Sequence, residues 1–195
     1  MKIFEDLLDE STRVHGHICA GQVIGVRMSM LALSILGIND PRGADRKKLY
    51  VLVEIDRCAT DAIQSVTGCS LGKRSMKWID HGVMAATFVN LDSGKAVRVT
   101  AREESREFSE KYCSDIEDKY KRQLEAYKIM DEDELFHVQP VHVVIPAEDM
   151  PGRPVKRVQC EKCSDWVQDN RDENIDGQTL CRSCAFGTYY QPLDD

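Results

Sequence analysis

The sequence predicts a protein of mixed helix and strand, with one hydrophobic core and a small metal-bound module behind it. Three stretches carry that reading. Ala20 to Leu36 is a long helix candidate, apolar most of the way round. Leu49 to Asp56 is a run rich in β-branched residues, as a central strand buried on both faces would be. Cys160–Cys163 and Cys181–Cys184 are two Cys-x-x-Cys pairs separated by seventeen residues.

Composition sets the outer bounds. Of 195 residues, 42% are hydrophobic and 30% charged, enough for one core and an appendage. A formal net charge of −7 argues against the basic surface that neutralises nucleic-acid phosphates. The apolar stretch Ile18 to Ile38 contains Gln22, Arg27, glycines and serines, so it reads as a buried helix and not a membrane span. Glu5 and Asp6 stand where a signal peptide needs an apolar segment, and the expected location is the cytoplasm. Eight cysteines in that compartment point to metal binding or catalysis ahead of disulfides.

Taken in order, residues 2–14 form an amphipathic helix, with Phe4, Leu7, Leu8 and Val14 at helical spacing. Gly21 and Gly25 lie on one face of the following helix and permit close approach of another backbone. Gly37 is its C-cap, and residues 39–43 form a loop. After the central strand, Cys58 to Thr67 turns helical, with Cys58, Ala62, Ile63 and Val66 on one face. Residues 68–75 resemble a phosphate loop at first sight. Only three residues separate Gly68 from Gly72-Lys73, and the loop leaves a helix, so nucleotide hydrolysis is rejected. Strands are expected over 82–90 and 95–101, joined by Leu91-Asp92-Ser93-Gly94. Residues 102–130 predict one or two amphipathic helices, 131–135 a short helical turn, and 141–145 a last strand. Cys113, His81, His137 and His142 are assigned to structure.

The segment His15-Gly16-His17-Ile18-Cys19 packs two imidazoles and a thiol into five residues ahead of the long helix. Histidine and thiolate suit zinc or iron, and a helix N-terminus favours the thiolate. Ordinary polar residues at a helix entry are the plainer alternative. Cys58 is a second thiol at a helix start, or simply a small buried hydrophobe. Asp61, one turn on, is a first-turn acid or a group that orients a ligand. Lys73 is an anion-binding cation or a solvated surface charge.

Met150-Pro151-Gly152-Arg153-Pro154 is the clearest break in the chain. The expected organisation is a core domain over 1–150, a linker over 151–159 and a four-cysteine zinc finger over 160–195. Cys160, Cys163, Cys181 and Cys184 supply four thiolates for a tetrahedral structural zinc, and a short hairpin is expected between the pairs. Residues 160–195 hold eight acids and three bases, so docking or dimerisation fits this module better than nucleic acid.

Three motifs together resemble the FmdE family, named for a component of formylmethanofuran dehydrogenase. They are His-Gly-His-Ile-Cys-Ala-Gly opening a long helix, Cys58-Ala-Thr-Asp61-Ala62-Ile63-Gln64 after a central strand, and Gly68-Cys69-Ser70-Leu71-Gly72-Lys73. The resemblance covers residues 10–110 well, and some relatives carry a C-terminal zinc finger of treble-clef type. It implies an α+β core with a mixed five-stranded sheet flanked by helices, sometimes called thioredoxin-like. It also implies a core metal site built from His17, Cys19 and Cys58, with Cys69 and Lys73 nearby.

Two functional expectations follow. In the first, the protein is a metal-dependent oxidoreductase or oxidoreductase subunit. Zinc or iron sits on His17, Cys19 and Cys58, His15 carries protons, Asp61 assists and Lys73 clamps an anion. In the second, it is a metal carrier, a redox-sensing thiol protein or an accessory subunit docking through its zinc finger. The paired-glycine helix and the tyrosine-bearing helix after residue 102 suggest a homodimer. Molybdenum or tungsten oxidoreductase subunits are the other expected partners.

Overall fold

The computed structural model describes residues 2–193. The chain divides into two compact units, Met1–Val143 and Val144–Asp195. The segment 151–159 expected as a linker belongs to the second unit and already contains a strand.

The first unit opens with α1 (Phe4–His15), whose Leu7, Leu8 and Ser11 are buried. Its acids Glu5 and Asp6 sit in the first turn and its bases Arg13 and His15 in the last, as the helix dipole favours. Helix α2 (Ala20–Ile35) buries nine of its residues. It ends in a Schellman motif, with Ile38 N–H bonded to Leu33 O at 2.9 Å and Gly37 N–H to Ser34 O at 3.2 Å.

Strand β1 (Leu49–Val53) leads into α3 (Cys58–Thr67), and the chain returns as β2 (Met76–Trp78). β1 and β2 are parallel, so α3 is the crossover of a β-α-β unit. β3 (Ala85–Asn90) and β4 (Ala96–Ala101) form the expected hairpin and extend the sheet. The sheet order is β2-β1-β3-β4-β5, mixed and five-stranded, as the resemblance implies. Strand β2 has no counterpart among the sequence expectations. Three residues without alternation give no periodic signal; only the need for a partner strand after α3 betrays it.

Helices α4 (Ser105–Tyr112) and α5 (Lys119–Ile129) divide the charged stretch, and Asp118 caps α5 by accepting Lys121 N–H at 2.7 Å. After α6 (Glu132–Leu135), β5 is Phe136–Val141 and not residues 141–145. Phe136 anchors it in the core while residues 137–140 are exposed, and Pro140 is tolerated because the strand is at the sheet edge. The valine-rich run beyond it draws a sequence-based boundary too far along.

The core lies between the helices and one sheet face. Leu7, Val23, Leu33, Val51, Ile63, Phe88, Val97 and Tyr127 belong to one cluster of buried side chains. α2 packs on α3 through small residues. A Cβ on Gly25 would stand 2.4 Å from Ala59 O and 2.6 Å from Ala62 Cβ, so only glycine allows this approach. The face that invites a dimer reading is therefore filled from within the chain. Just beyond β1, buried Glu54 takes two bonds from Arg98 of β4, Nε to Oε1 at 2.6 Å and Nη2 to Oε2 at 2.7 Å. Among the described residues, no helix is long and apolar enough to cross a membrane.

The second unit holds two small hairpins where one was expected. β6 (Arg157–Gln159) pairs with β7 (Trp166–Gln168), and the first Cys-x-x-Cys lies in their connection. β8 (Glu173–Ile175) pairs with β9 (Gln178–Leu180) around Asp176-Gly177, both at positive φ as a tight hairpin turn requires. Cys181 then caps the short α7 (Arg182–Phe186).

Candidate metal centres

The core-domain site begins where α1 stops. Gly16 adopts φ +97°, a left-handed conformation that ends the helix, and its N–H bonds Thr12 O at 2.8 Å. Across it the rings of His15 and His17 come to 4.6 Å between centroids, tilted by 39°. Cys19 follows in extended backbone as the N-cap of α2. The ligand atoms of His15, His17 and Cys19 all lie within 4.8 Å of one another.

Helix α3 supplies the support. Asp61 Oδ2 bonds His15 Nδ1 at 2.8 Å. The opposite ring nitrogen, His15 Nε2, is buried and meets no hydrogen-bond partner among the described residues. A carboxylate on one imidazole nitrogen with the other left free is the arrangement that orients a metal-binding histidine. An open cleft of about 430 Å³ lies against it, lined by His15, Asp56, Arg57, Cys58, Thr60 and Asp61.

Sequence reasoning puts His17, Cys19 and Cys58 together as ligands and makes His15 a proton carrier. In the structure the close set is His15, His17 and Cys19, and Cys58 stands beside Cys19. Burial pushes the Cys58 thiol up from its ordinary pKa, and a hydrogen bond with the Cys19 thiol pushes it further. These effects outweigh the lowering expected at a helix start. The two cysteines flank Gly21, from whose Cβ position Cys58 Cβ would lie 2.9 Å and Cys19 Sγ 3.7 Å away.

Gln22 is a residue that sequence reasoning treats only as an interruption in an apolar helix. It is fully buried, bonds the hydroxyl of Ser11 on α1, and donates to Cys58 O at 2.6 Å. It ties three helices together at the site. A buried amide always needs partners, and that is the signal available for it.

Cys69 and Lys73 do not join this cluster. Cys69 follows the far end of α3, a ten-residue helix and hence about 15 Å long. It is buried there, with its thiol 3.6 Å from Leu49 O at the opposite end of β1 from Cys58, and burial raises its pKa. The Lys73 ammonium bonds Gly68 O at 2.9 Å, satisfying the carboxyl end of the same helix. Their proximity along the motif does not survive the length of the helix between them.

The second centre is the four-cysteine cluster. The Sγ atoms of Cys160, Cys163, Cys181 and Cys184 lie within 4.8 Å of one another. Cys163 and Cys181 are 3.7 Å apart, close to the roughly 3.8 Å edge of a tetrahedron with Zn–S near 2.3 Å. Backbone N–H groups of Cys163 and Cys181 pull the Cys160 thiol down to about 6. For Cys163 the Asp165 N–H acts downward, but burial and hydrogen bonds to the other three thiols push it up to about 12. Four sulfurs so placed can hold a metal such as zinc.

Comparison with known proteins agrees with this architecture. A curated protein of Archaeoglobus fulgidus, named "Probable S-adenosyl-L-methionine-binding protein", is 34% identical over 203 residues. The alignment takes in 94% of this chain and 53% of that protein, so the chain spans about half the length of its curated relative. A solved structure from Syntrophus aciditrophicus, of a tungsten formylmethanofuran dehydrogenase FmdE-like protein, shares the fold. It matches with a TM-score of 0.63 and 23% identity, over 96% of this chain and 95% of that one. The family model described as "FmdE, Molybdenum formylmethanofuran dehydrogenase operon" matches residues 14–137, the stretch that carries both the His-Gly-His-Ile-Cys segment and the Asp61 helix, and the chain belongs to that family.

Proposed function

We propose that the core unit binds one metal ion, zinc or iron, through His15, His17 and Cys19, and that the protein serves as a metal-dependent oxidoreductase or as a subunit of one. The observation that carries this is His15: Nδ1 engaged by Asp61, Nε2 buried without a partner, and both His17 and Cys19 within ligand reach. An ion on three protein ligands, with a further position open, supplies Lewis acidity or redox chemistry.

The chain's own residues would do the rest. Asp61 holds the imidazole ring and raises its basicity as a ligand. Arg57 and Thr60 border the cleft, where a small substrate has room. Gln22 fixes the backbone at Cys58. The four-cysteine unit would take a structural zinc and dock the protein onto a second copy of itself or onto molybdenum or tungsten oxidoreductase subunits. A reducing cytoplasm suits eight free thiols.

Metal analysis of anaerobically purified Cys160→Ser/Cys163→Ser protein tests the core site. Retained metal that disappears on His15→Ala supports the reading; an empty core removes it. Metal carriage without catalysis is the alternative, favoured if a chelator strips the core ion within seconds and no activity accompanies it. The name of the A. fulgidus relative adds S-adenosylmethionine as a ligand to try, and the cleft of about 430 Å³ falls within the range of small-molecule sites. Calorimetric titration with that compound decides it.

A further inference from the structure

We infer that Cys19 and Cys58 are an oxidisable pair, whose closure to a disulfide takes Cys19 away from His15 and His17 and releases the core metal. The inference deepens the metal-site reading above and rests on it. Four observations carry it. Cys19 is the sole thiol of the close ligand set, and Cys58 is the thiol that adjoins it from the neighbouring helix. Both are partly accessible, and Cys58 lines the cleft, whereas Cys69 is buried. Gly21 leaves the space between them open, since any side chain there would strike Cys58 Cβ. The Gln22 bond to Cys58 O anchors the backbone that carries the second thiol.

The chemistry balances with a peroxide as oxidant. The Cys19 thiolate attacks one peroxide oxygen, giving a sulfenic acid and hydroxide. The Cys58 thiol then attacks that sulfur; an S–S bond forms, the S–O bond breaks, and the oxygen leaves as water with the Cys58 proton. Two electrons have passed from the two sulfurs to the peroxide. A disulfide sulfur is a poor ligand, so the ion is left with two imidazoles. A dithiol reductant reverses the closure.

The test uses the whole chain, loaded with zinc and titrated with hydrogen peroxide. Zinc release is followed with a colorimetric chelator, and the cysteines by differential alkylation and peptide mass analysis. The peptide 14–27 carries Cys19 alone, while 58–73 carries both Cys58 and Cys69, so fragmentation must place the bond. The expected result is a Cys19–Cys58 link that appears in step with loss of the core zinc, both reversed by reductant. Cys58→Ser should keep its core zinc before oxidation, form no link, and accumulate over-oxidised Cys19 instead. The inference is overturned if Cys19 stays alkylatable while the zinc leaves, if the link forms to Cys69, or if Cys58→Ser is purified without core zinc. Zinc content before any oxidant reports separately on the metal site. A metal-free core would sink that reading, and with it the release step, whereas a filled core without the link sinks only the present inference.

Discussion

The amide of Gln22 donates to the carbonyl of Cys58 at 2.6 Å while its oxygen accepts from Ser11, so one buried side chain spans α1, α2 and α3. Gln22→Leu keeps the volume but removes the acceptor of the buried Ser11 hydroxyl and the bond that Cys58 O receives from outside its own helix. A loss of about 2 kcal/mol is expected, read as a lower urea midpoint with an unchanged slope. Zinc affinity of the core should fall with it, because the α3 start loses its anchor beside Cys19.

Gly25→Ala tests the helix contact. The added methyl meets backbone at Ala59 O and the Ala62 Cβ, neither of which can swing aside. Overpacking should cost about 1–3 kcal/mol in thermal or denaturant unfolding. Gly72→Ala, where a Cβ would meet nothing within 4 Å, is the control and should change stability little.

The Glu54–Arg98 pair gives a pH dependence of definite sign. Arg98 bonds hold the Glu54 carboxyl below its ordinary value of 4.5, against the opposing effect of burial. The pair's contribution is therefore complete above the ordinary glutamate range and disappears as pH falls through the lowered folded value. Arg98→Met leaves the buried carboxylate with only the longer contact to His81 Nδ1 at 3.4 Å and should cost about 2–3 kcal/mol at neutral pH, below the fully buried case because the guanidinium is partly exposed. The difference between mutant and parent should shrink on acidification below that range, as unfolding titrations at several pH values would show.

Asp61→Asn should loosen the core metal about 10–100-fold in chelator competition, through the altered partner of His15 Nδ1. His15→Gln should do more, since it removes a ligand and not its support. Neither substitution should change metal binding by the four-cysteine unit.

Removing metal from the four-cysteine unit should unfold that unit and leave the first one folded. It has little apolar core, with Cys160 and Leu180 as its buried hydrophobic residues among those described, so ligation supplies much of its folding free energy. Trp166 fluorescence follows the second unit, while helical circular dichroism, dominated by α1 to α5, should persist. Reloading should release protons, because thiols of the unfolded unit are mostly protonated at neutral pH and bind metal as thiolates.

Much of this is readable from the residues. The apolar run of α2, the small residues at Gly21 and Gly25, the β3–β4 hairpin and the paired Cys-x-x-Cys motifs each carry a local signal that tertiary structure preserves. The losses have physical reasons. β2 is too short to show a period, and β5 is an exposed edge strand that lacks an alternating apolar face. Within the candidate site, residues 15–19 are legible because they are neighbours in the chain. Exchanging His15 for Cys58 in the close set depends on the turn at Gly16 and on the depth of α3, neither of which spacing encodes. Motif order draws Cys69 and Lys73 to the site, and the length of a helix carries them away.

His15, His17 and Cys19 come from five successive residues, with only Asp61 contributed from a distance. On the proposed metal-site reading, such a cradle would not need the whole domain to open before releasing an ion. Fraying of the last turn of α1 would be enough, so exchange of a bound ion should be faster than global unfolding and respond to substitutions at the helix end more than to those in the sheet.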